Sequence, residues 1–233
     1  MDELLKKITD YFEKEVFLKH KSRALKENAK LSSYKINPIL VRYLSKVLDD
    51  DFTPSGVAKA LYYPRVLGTS INTTFGNRIQ KMFVELELAQ GSKIEGMDIE
   101  FFDKIEGKLK YCQLKSGPNT INSEDVKPII DKFEKLLRRA RGNHEQINNN
   151  DLIVGVLYGS SDELSRHYMR IDERYPVIIG KDFWHRITGY EHFYQRLVVE
   201  LDKIITDMPT DNFLEVGCKK LEDEIKASRI LDL

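Results

Sequence analysis

Four residues in two short runs carry the chemistry most plainly. Asp98 and Glu100 lie two apart in Met97-Asp-Ile-Glu-Phe-Phe-Asp103, so on an extended backbone they share a face. Gln113 and Lys115 lie two apart in Lys108-Leu-Lys-Tyr-Cys-Gln-Leu-Lys115 and share a face as well. Met97, Ile99 and Phe101 then pack one way together with Cys112 and Leu114, and the polar set faces the other. Glu106-Gly107 between the runs reads as the turn of an antiparallel hairpin. Facing Cβ atoms in such a pair lie about 5 Å apart, so a carboxylate, an amide and a lysine converge at its open end. Carboxylate and nearby carbonyl oxygens suit a hard cation such as Mg²⁺. A lysine beside them orients an attacking water or stabilises charge on a phosphate. The same spacing allows a plainer arrangement, a cross-strand ion pair of Asp98 with Lys115 worth about 0.2–1 kcal/mol.

The run Ser116-Gly-Pro-Asn-Thr-Ile-Asn122 follows Lys115 directly. Gly117 and Pro118 shape a rigid turn, and Ser116, Asn119, Thr120 and Asn122 offer small polar groups. Such a run serves either as a strand-to-helix loop with a cap or as a contact to a phosphate backbone beside a helix N-terminus. The histidines say less. His185, between Trp184 and Arg186, reads as structural, and His144 and His167 lack metal-ligand spacing. Trp184 and the Tyr62-Tyr63-Pro64 cluster read as packing. Cys112 and Cys218 make no disulfide framework and no zinc motif.

The elements that must position these groups follow from periodicity. Apolar residues from Leu4 to Val16 have helical spacing that blurs towards Leu25. Asn37-Pro38 opens a second helix to about Leu48, and Thr53 or Ser55 caps a short one through Leu61. A stretch of small and hydroxylated residues, Leu67 to Gly76, precedes a helix from about Thr73 to Gln90. After the hairpin, a helix from Ser123 to about Ala140 has a serine cap, acids in its first turn and arginines in its last. Leu152 to Tyr158 is almost wholly apolar, as a strand buried on both faces is. Pro176 to Gly180 reads as another strand. Residues 181–230 read as mostly helical, broken at Gly189 and Met208-Pro209. The expected fold is α/β: a central mixed sheet flanked by helices, with helical N- and C-terminal additions. A single domain is expected, with residues 1–72 helical, 73–180 the core and 181–233 the terminal helices.

Composition narrows the classes. The 233 residues include 37 Lys/Arg and 37 Asp/Glu, a formal net charge of zero, with 41% hydrophobic and 32% charged residues. That is too apolar and aromatic for a disordered chain. No run of about 18 apolar residues spans a membrane, and the first residues do not read as a signal peptide, so a cytoplasmic location is expected. The neutral total hides an uneven distribution. Residues 17–48 carry eight Lys/Arg against Glu27 alone, and residues 127–142 carry six against two acids. Residues 187–233 carry six against ten acids. Two basic segments and an acidic tail fit a polyanion-facing side and a side turned away.

Gly96-Met97-Asp98, fourteen intervening residues, then Gln113-Leu114-Lys115 resembles the PD-(D/E)XK nuclease signature. The order helix, hairpin, crossover helix, strand from about Thr73 to Tyr158 is similar to that family's core. Gln113 to Asn122 with Glu124-Asp125-Val126, Gly68 to Gly76, and Gly180 to Gly189 resemble type II restriction endonucleases of the PmeII kind. The resemblance implies a restriction-endonuclease-like core and Mg²⁺-dependent hydrolysis of double-stranded DNA at a short, palindromic site by a homodimer. It implies metal binding by Asp98, Gln113 and the Leu114 carbonyl, with Lys115 acting on the water or the transition state. The family's second acid is Gln113 here. Glu85, Glu87 or Glu100 would compensate, Glu85 being slightly preferred, or Gln80 would contribute in its place. By the same resemblance Arg65, Ser70, Thr73, Asn77 and Arg78 would flank DNA along with Ser116, Asn119, Thr120 and Asn122, as would Thr69 and Asn72. Two other readings share the residues: a modification-dependent or repair nuclease, and a non-cleaving DNA-binding protein on the same scaffold.

Overall fold

The computed structural model describes residues 1–209, 211–228 and 230–232. Leu5, Ile8 and Tyr11 recur at helical spacing and are buried along α1 (Asp2–Tyr11). A π-helical turn over Phe12–Phe17 leads into α2 (Leu18–Arg23), and another over Ala24–Asn28 follows. Widening the period twice is why the apolar spacing blurs here. Asn37 caps α3 (Pro38–Asp49) by accepting from the amides of Ile39 and Leu40 at 3.0 and 3.2 Å. Thr53 caps α4 (Pro54–Pro64) through the amide of Gly56 at 2.9 Å. The stretch expected ahead of the next helix is itself helical: a π-helical turn over Arg65–Ser70 joins α5 (Ile71–Glu85). Val66, Ser70 and Thr74 recur every four residues and are buried, and that burial outweighs their weak helix propensity. α5 ends before Gln90 because Glu87 adopts a left-handed φ of 58°.

The strands and remaining helices alternate from there. They are β1 (Gln90–Gly91), β2 (Ile99–Asp103), β3 (Lys108–Lys115), α6 (Ser123–Gly142), β4 (Leu152–Val156), α7 (Arg166–Asp172), β5 (Val177–Ile179), α8 (Gly180–Thr188), α9 (Phe193–Asp207) and α10 (Phe213–Lys226). β1 and α7 had no clear sequence signal, one being two residues long and the other short and polar. Asn122, rather than Ser123, caps α6, accepting from the amides of Glu124 and Asp125, while Asp125 accepts from the Asn122 amide.

The chain groups into two compact units. Met1–Tyr11 and Gly76–Thr206 form one, and Phe12–Phe75 with Asp207–Leu233 form the other. The first holds the five-stranded sheet, in the order β1-β2-β3-β4-β5. β1, β2 and β3 pair antiparallel, and β3, β4 and β5 pair parallel. One face of the sheet buries Val154 and Val156 against Val126, Ile129, Phe133 and Leu137 of α6 and Tyr168 and Ile171 of α7. On the other, Phe83 of α5, Phe101 of β2 and Phe183 and Trp184 of α8 meet edge-on or tilted at 5.3–5.9 Å. Gly155 must lack a side chain, since a Cβ there would lie 2.4 Å from the Phe183 ring and 2.8 Å from the Cys112 sulfur. This is the mixed sheet flanked by helices that the residues led one to expect. The second unit packs Val57, Ala58 and Tyr62 of α4 against Cys218, Leu221 and Ile225 of α10.

At the turn of the hairpin a charge network around buried Asp103 and Lys110 ties β2 and β3 to α8. Arg186 reaches Asp103 and Glu106 at 2.6 and 2.5 Å, and Lys110 reaches Glu106 at 2.6 Å and the Asn150 carbonyl at 2.8 Å. Asp103 and Lys110 are almost fully buried, so each needs these partners. The register of the hairpin, and hence its open end, is anchored from this side.

Candidate active site

Register decides which side chains meet at the open end. Ile99 pairs with Cys112, and the Asp98 amide donates to the Cys112 carbonyl at 2.9 Å, so Asp98 stands opposite Gln113. The Asp98 carboxylate reaches across and accepts from the Leu114 amide at 2.7 Å. Its backbone carbonyl accepts from the side-chain amide of Gln80 on α5 at 3.0 Å. Asp98, Leu114, Lys115, Gln80, Ser116 and Thr120 line one cleft of about 330 Å³, with Gly76, Ile79 and Leu157. Lys115 is half-buried, and among the described residues no hydrogen bond or ion pair engages its ammonium. The cross-strand ion pair that the spacing also allowed is therefore not formed. Asp98 is held by a backbone amide instead, leaving the ammonium free to act on something else in the cleft.

Gln113 is buried, and among the described residues its side-chain nitrogen has no partner. It is not among the residues lining the cleft. The oxygen and nitrogen of an amide exchange places by a half-turn of the end group, so this free end offers either a donor or an oxygen. Among the described residues no cluster of three or more His, Cys, Asp or Glu side chains is placed to hold a metal. The local oxygen donors are one carboxylate, one amide and backbone carbonyls. That set fits Mg²⁺, which is commonly held by one or two carboxylates and completed by substrate phosphate and water. Cys112, beside it on β3, faces the opposite way into the core, and burial pushes its thiol far above the ordinary range.

The carboxylates weighed as compensation lie elsewhere. Glu85 is exposed at the end of α5 and does not line the cleft. A helix turns about 100° per residue, so five residues put Glu85 roughly 140° around α5 from Gln80. Glu87 and Glu100 line a separate cleft of about 860 Å³ beside β1, and Glu100 accepts from the Ser92 hydroxyl at 2.6 Å. Of the four groups considered, Gln80 is the one brought to Asp98.

The loop after Lys115 is braced from below. The hydroxyls of Thr120 and buried Tyr168 both lie within hydrogen-bond distance of the Gly117 carbonyl, at 2.9 and 3.0 Å, and 2.9 Å from each other. The Ser165 amide donates to the Pro118 carbonyl at 3.1 Å. Tyr158 packs onto Gly117 so closely that a Cβ there would sit 2.4 Å from its ring. Asn119 is exposed, Ser116 is half-buried, and Asn122 is engaged as the α6 cap. Sequence reasoning missed Tyr158 and Tyr168 because both lie some 40 to 50 residues beyond the loop they hold.

The remaining candidate DNA contacts have mixed settings. Asn77 is exposed and Arg78 half-buried, the latter's carbonyl accepting from the Tyr11 hydroxyl at 3.1 Å. Arg65 and Thr73 are exposed. Ser70 is buried and accepts from the Asn28 side-chain amide at 3.1 Å, so its hydroxyl serves packing.

Residues 6–207 match the family of the type II restriction endonuclease EcoO109I. The chain is a type II restriction endonuclease of the EcoO109I family. No individual curated protein matches it. Membership makes it a site-specific deoxyribonuclease acting on double-stranded DNA, and its fold is restriction-endonuclease-like. The match covers all five strands and the whole cleft around Asp98 and Lys115. The narrower likeness to enzymes of the PmeII kind stays a resemblance. No helix among the described residues is long and apolar enough to cross a membrane.

Proposed function

We propose that this EcoO109I-family enzyme hydrolyses both strands of duplex DNA at a short palindromic site, with Mg²⁺ as cofactor and as a homodimer. The observation that carries the reading is the Lys115 ammonium, unpaired among the described residues, in one cleft with the Asp98 carboxylate. Asp98, Gln113 and the Leu114 carbonyl would hold the ion. Bound Mg²⁺ supplies Lewis-acid stabilisation of charge on the phosphoryl group.

The chain's own residues do the rest. The Leu114 amide fixes the orientation of the Asp98 carboxylate. Lys115 holds the attacking water in line with the scissile P–O bond, or meets the charge that builds on the phosphate. The 3′-oxygen leaves from the opposite side. Gln80 steadies the backbone of Asp98 through its carbonyl. The braced loop Ser116–Asn122 presents Asn119 and Ser116 to the sugar–phosphate backbone, which positions the duplex without reading its sequence. Arg65, Thr73, Asn77 and Arg78 are the further proposed contacts. A palindromic site is matched by a two-fold protein dimer.

Phage DNA incubated with the protein, with Mg²⁺ and with EDTA, tests the reading. Discrete bands that need Mg²⁺ are expected. Binding without cutting, or cutting of methylated DNA alone, would sink it.

A further inference from the structure

α3 exposes its apolar side chains to solvent. Ile39, Leu40, Tyr43, Leu44, Val47 and Leu48 are 37–77% exposed, whereas Val41 and Ser45 are buried. The buried side is occupied: Ser45 donates to the Asp51 carbonyl at 2.8 Å and, with Asp49, abuts Gly56 of α4. At 100° per residue the six exposed positions cover about half the circumference, centred roughly 130° from that side. An ordinary surface helix puts polar residues there, and a helix apolar on both sides is covered on both sides. A contiguous exposed apolar surface of this kind marks an interaction site.

The pattern accommodates a second copy of the same helix. The positions 39, 40, 43, 44, 47 and 48 are symmetric about the midpoint between Tyr43 and Leu44. Turned end for end, the stripe maps onto itself: 39 onto 48, 40 onto 47, 43 onto 44. An isologous contact requires this self-complementarity, because residue i of one copy meets residue j of the other and the reverse. Charge agrees. The segment before the helix carries exposed Lys35, and the segment after it carries exposed Asp50 and Asp51. Antiparallel packing sets Lys35 of each copy beside the acids of the other and the positive end of each helix dipole beside the negative end of its partner. Arg42 lies to one side, its guanidinium 4.3 Å above the Phe52 ring of its own chain.

We propose that the outward face of α3 is the contact by which two copies of this chain associate about a two-fold axis. The proposal rests on the homodimer reading and gives it a surface. A stable interface takes about 800 Å² from each partner, so α3 supplies its apolar centre and the flanking charged segments its rim.

Sedimentation equilibrium on the full chain and on Tyr43→Glu/Val47→Glu tests it. Both positions are more than 60% exposed, so the variant keeps its fold, which circular dichroism checks. The wild type is expected at twice the 27.1 kDa chain mass. The variant is expected to dissociate at least about thirtyfold more readily, as on loss of a central interface side chain. A Tyr43→Cys/Leu44→Cys variant is expected to cross-link between chains on oxidation, since Cys112 and Cys218 are buried. A wild-type dimer unaffected by the charges and not cross-linked overturns the α3 assignment and leaves the homodimer reading standing. A monomeric wild type overturns both. A dimer through α3 that cuts no DNA supports the surface and sinks the Mg²⁺-dependent cleavage proposed above.

Discussion

Lys115 and Asp98 share a cleft without pairing, and that separation has consequences that can be measured. A carboxylate held by a backbone amide stays oriented whether or not the lysine is present. Replacing Lys115 by Ala should therefore lower plasmid cleavage at least about 100-fold, the low end of what a proton-transfer or water-positioning group contributes. Binding of a cognate duplex, followed by anisotropy without divalent metal, should change only a few-fold. Normal cutting by the variant would remove Lys115 from the mechanism. Gln113 allows a gain-of-function test. Its nitrogen lacks a partner among the described residues, and a carboxylate in its place would add charge to the proposed cation site. Gln113→Glu should lower the Mg²⁺ concentration giving half-maximal cleavage by about tenfold. An unchanged or higher requirement would show that this side chain does not face the ion. The amide itself was readable in the sequence. Its burial without a partner was not, since that depends on α6 covering the sheet.

At the scale of elements, the loop between β3 and α6 is where local signals and long-range contacts meet. The cap was legible as a polar residue ahead of an acidic turn, with the capping position shifted by one residue. Asn122→Ala should cost about 1 kcal/mol in denaturant unfolding. The Tyr168 hydroxyl is different, because it contacts the loop from α7. Burial pushes it up to about 12, so it stays protonated through neutral pH and keeps its hydrogen for the Gly117 carbonyl. Gly117→Ala should reduce cleavage more than it reduces stability, since the new Cβ collides with Tyr158 and moves the loop that follows Lys115. Parallel thermal melts and initial rates would separate the two effects. A variant with wild-type rates would mean that the loop does not set the geometry of the cleft.

For the whole molecule, charge placement matters more than charge total. The basic segments at 17–48 and 127–142 are partly neutralised at home, as in Lys19 with Glu15, Arg23 with Glu27 and Lys127 with Asp131. DNA affinity should still fall as salt rises, by a slope of about 0.9 per phosphate contact on logarithmic axes. A flat titration would argue against a phosphate-facing surface. Stability has its own pH signature. The hydrogen bond from Lys110 is the largest cause holding the Glu106 carboxyl below its ordinary range, with Arg186 adding to it. A depressed folded value means that this stabilisation is present above the unfolded value, about 4.3, and is lost as pH falls through the folded one. The difference in melting temperature between wild type and Glu106→Gln should therefore shrink between pH 6 and pH 3. A constant difference would show that Glu106 does not couple to folding.

The sequence by itself determined the alternation that sets Asp98, Gln113 and Lys115 on facing strands, the crossover helix and the apolar β4, because strand and helix periods are local properties of the chain. It also carried the family resemblance. Only the tertiary structure decided that Asp98 takes a backbone amide in place of Lys115. It also decided that Gln80 rather than Glu85 reaches Asp98, and that Tyr158 and Tyr168 hold the loop. The grouping of Phe12–Phe75 with Asp207–Leu233 is of the same kind. Each of these is set by which residues far apart in the chain come within 3 Å or so of each other. Hydrophobic pattern specifies that faces are buried, but the packed register of distant elements chooses the partners.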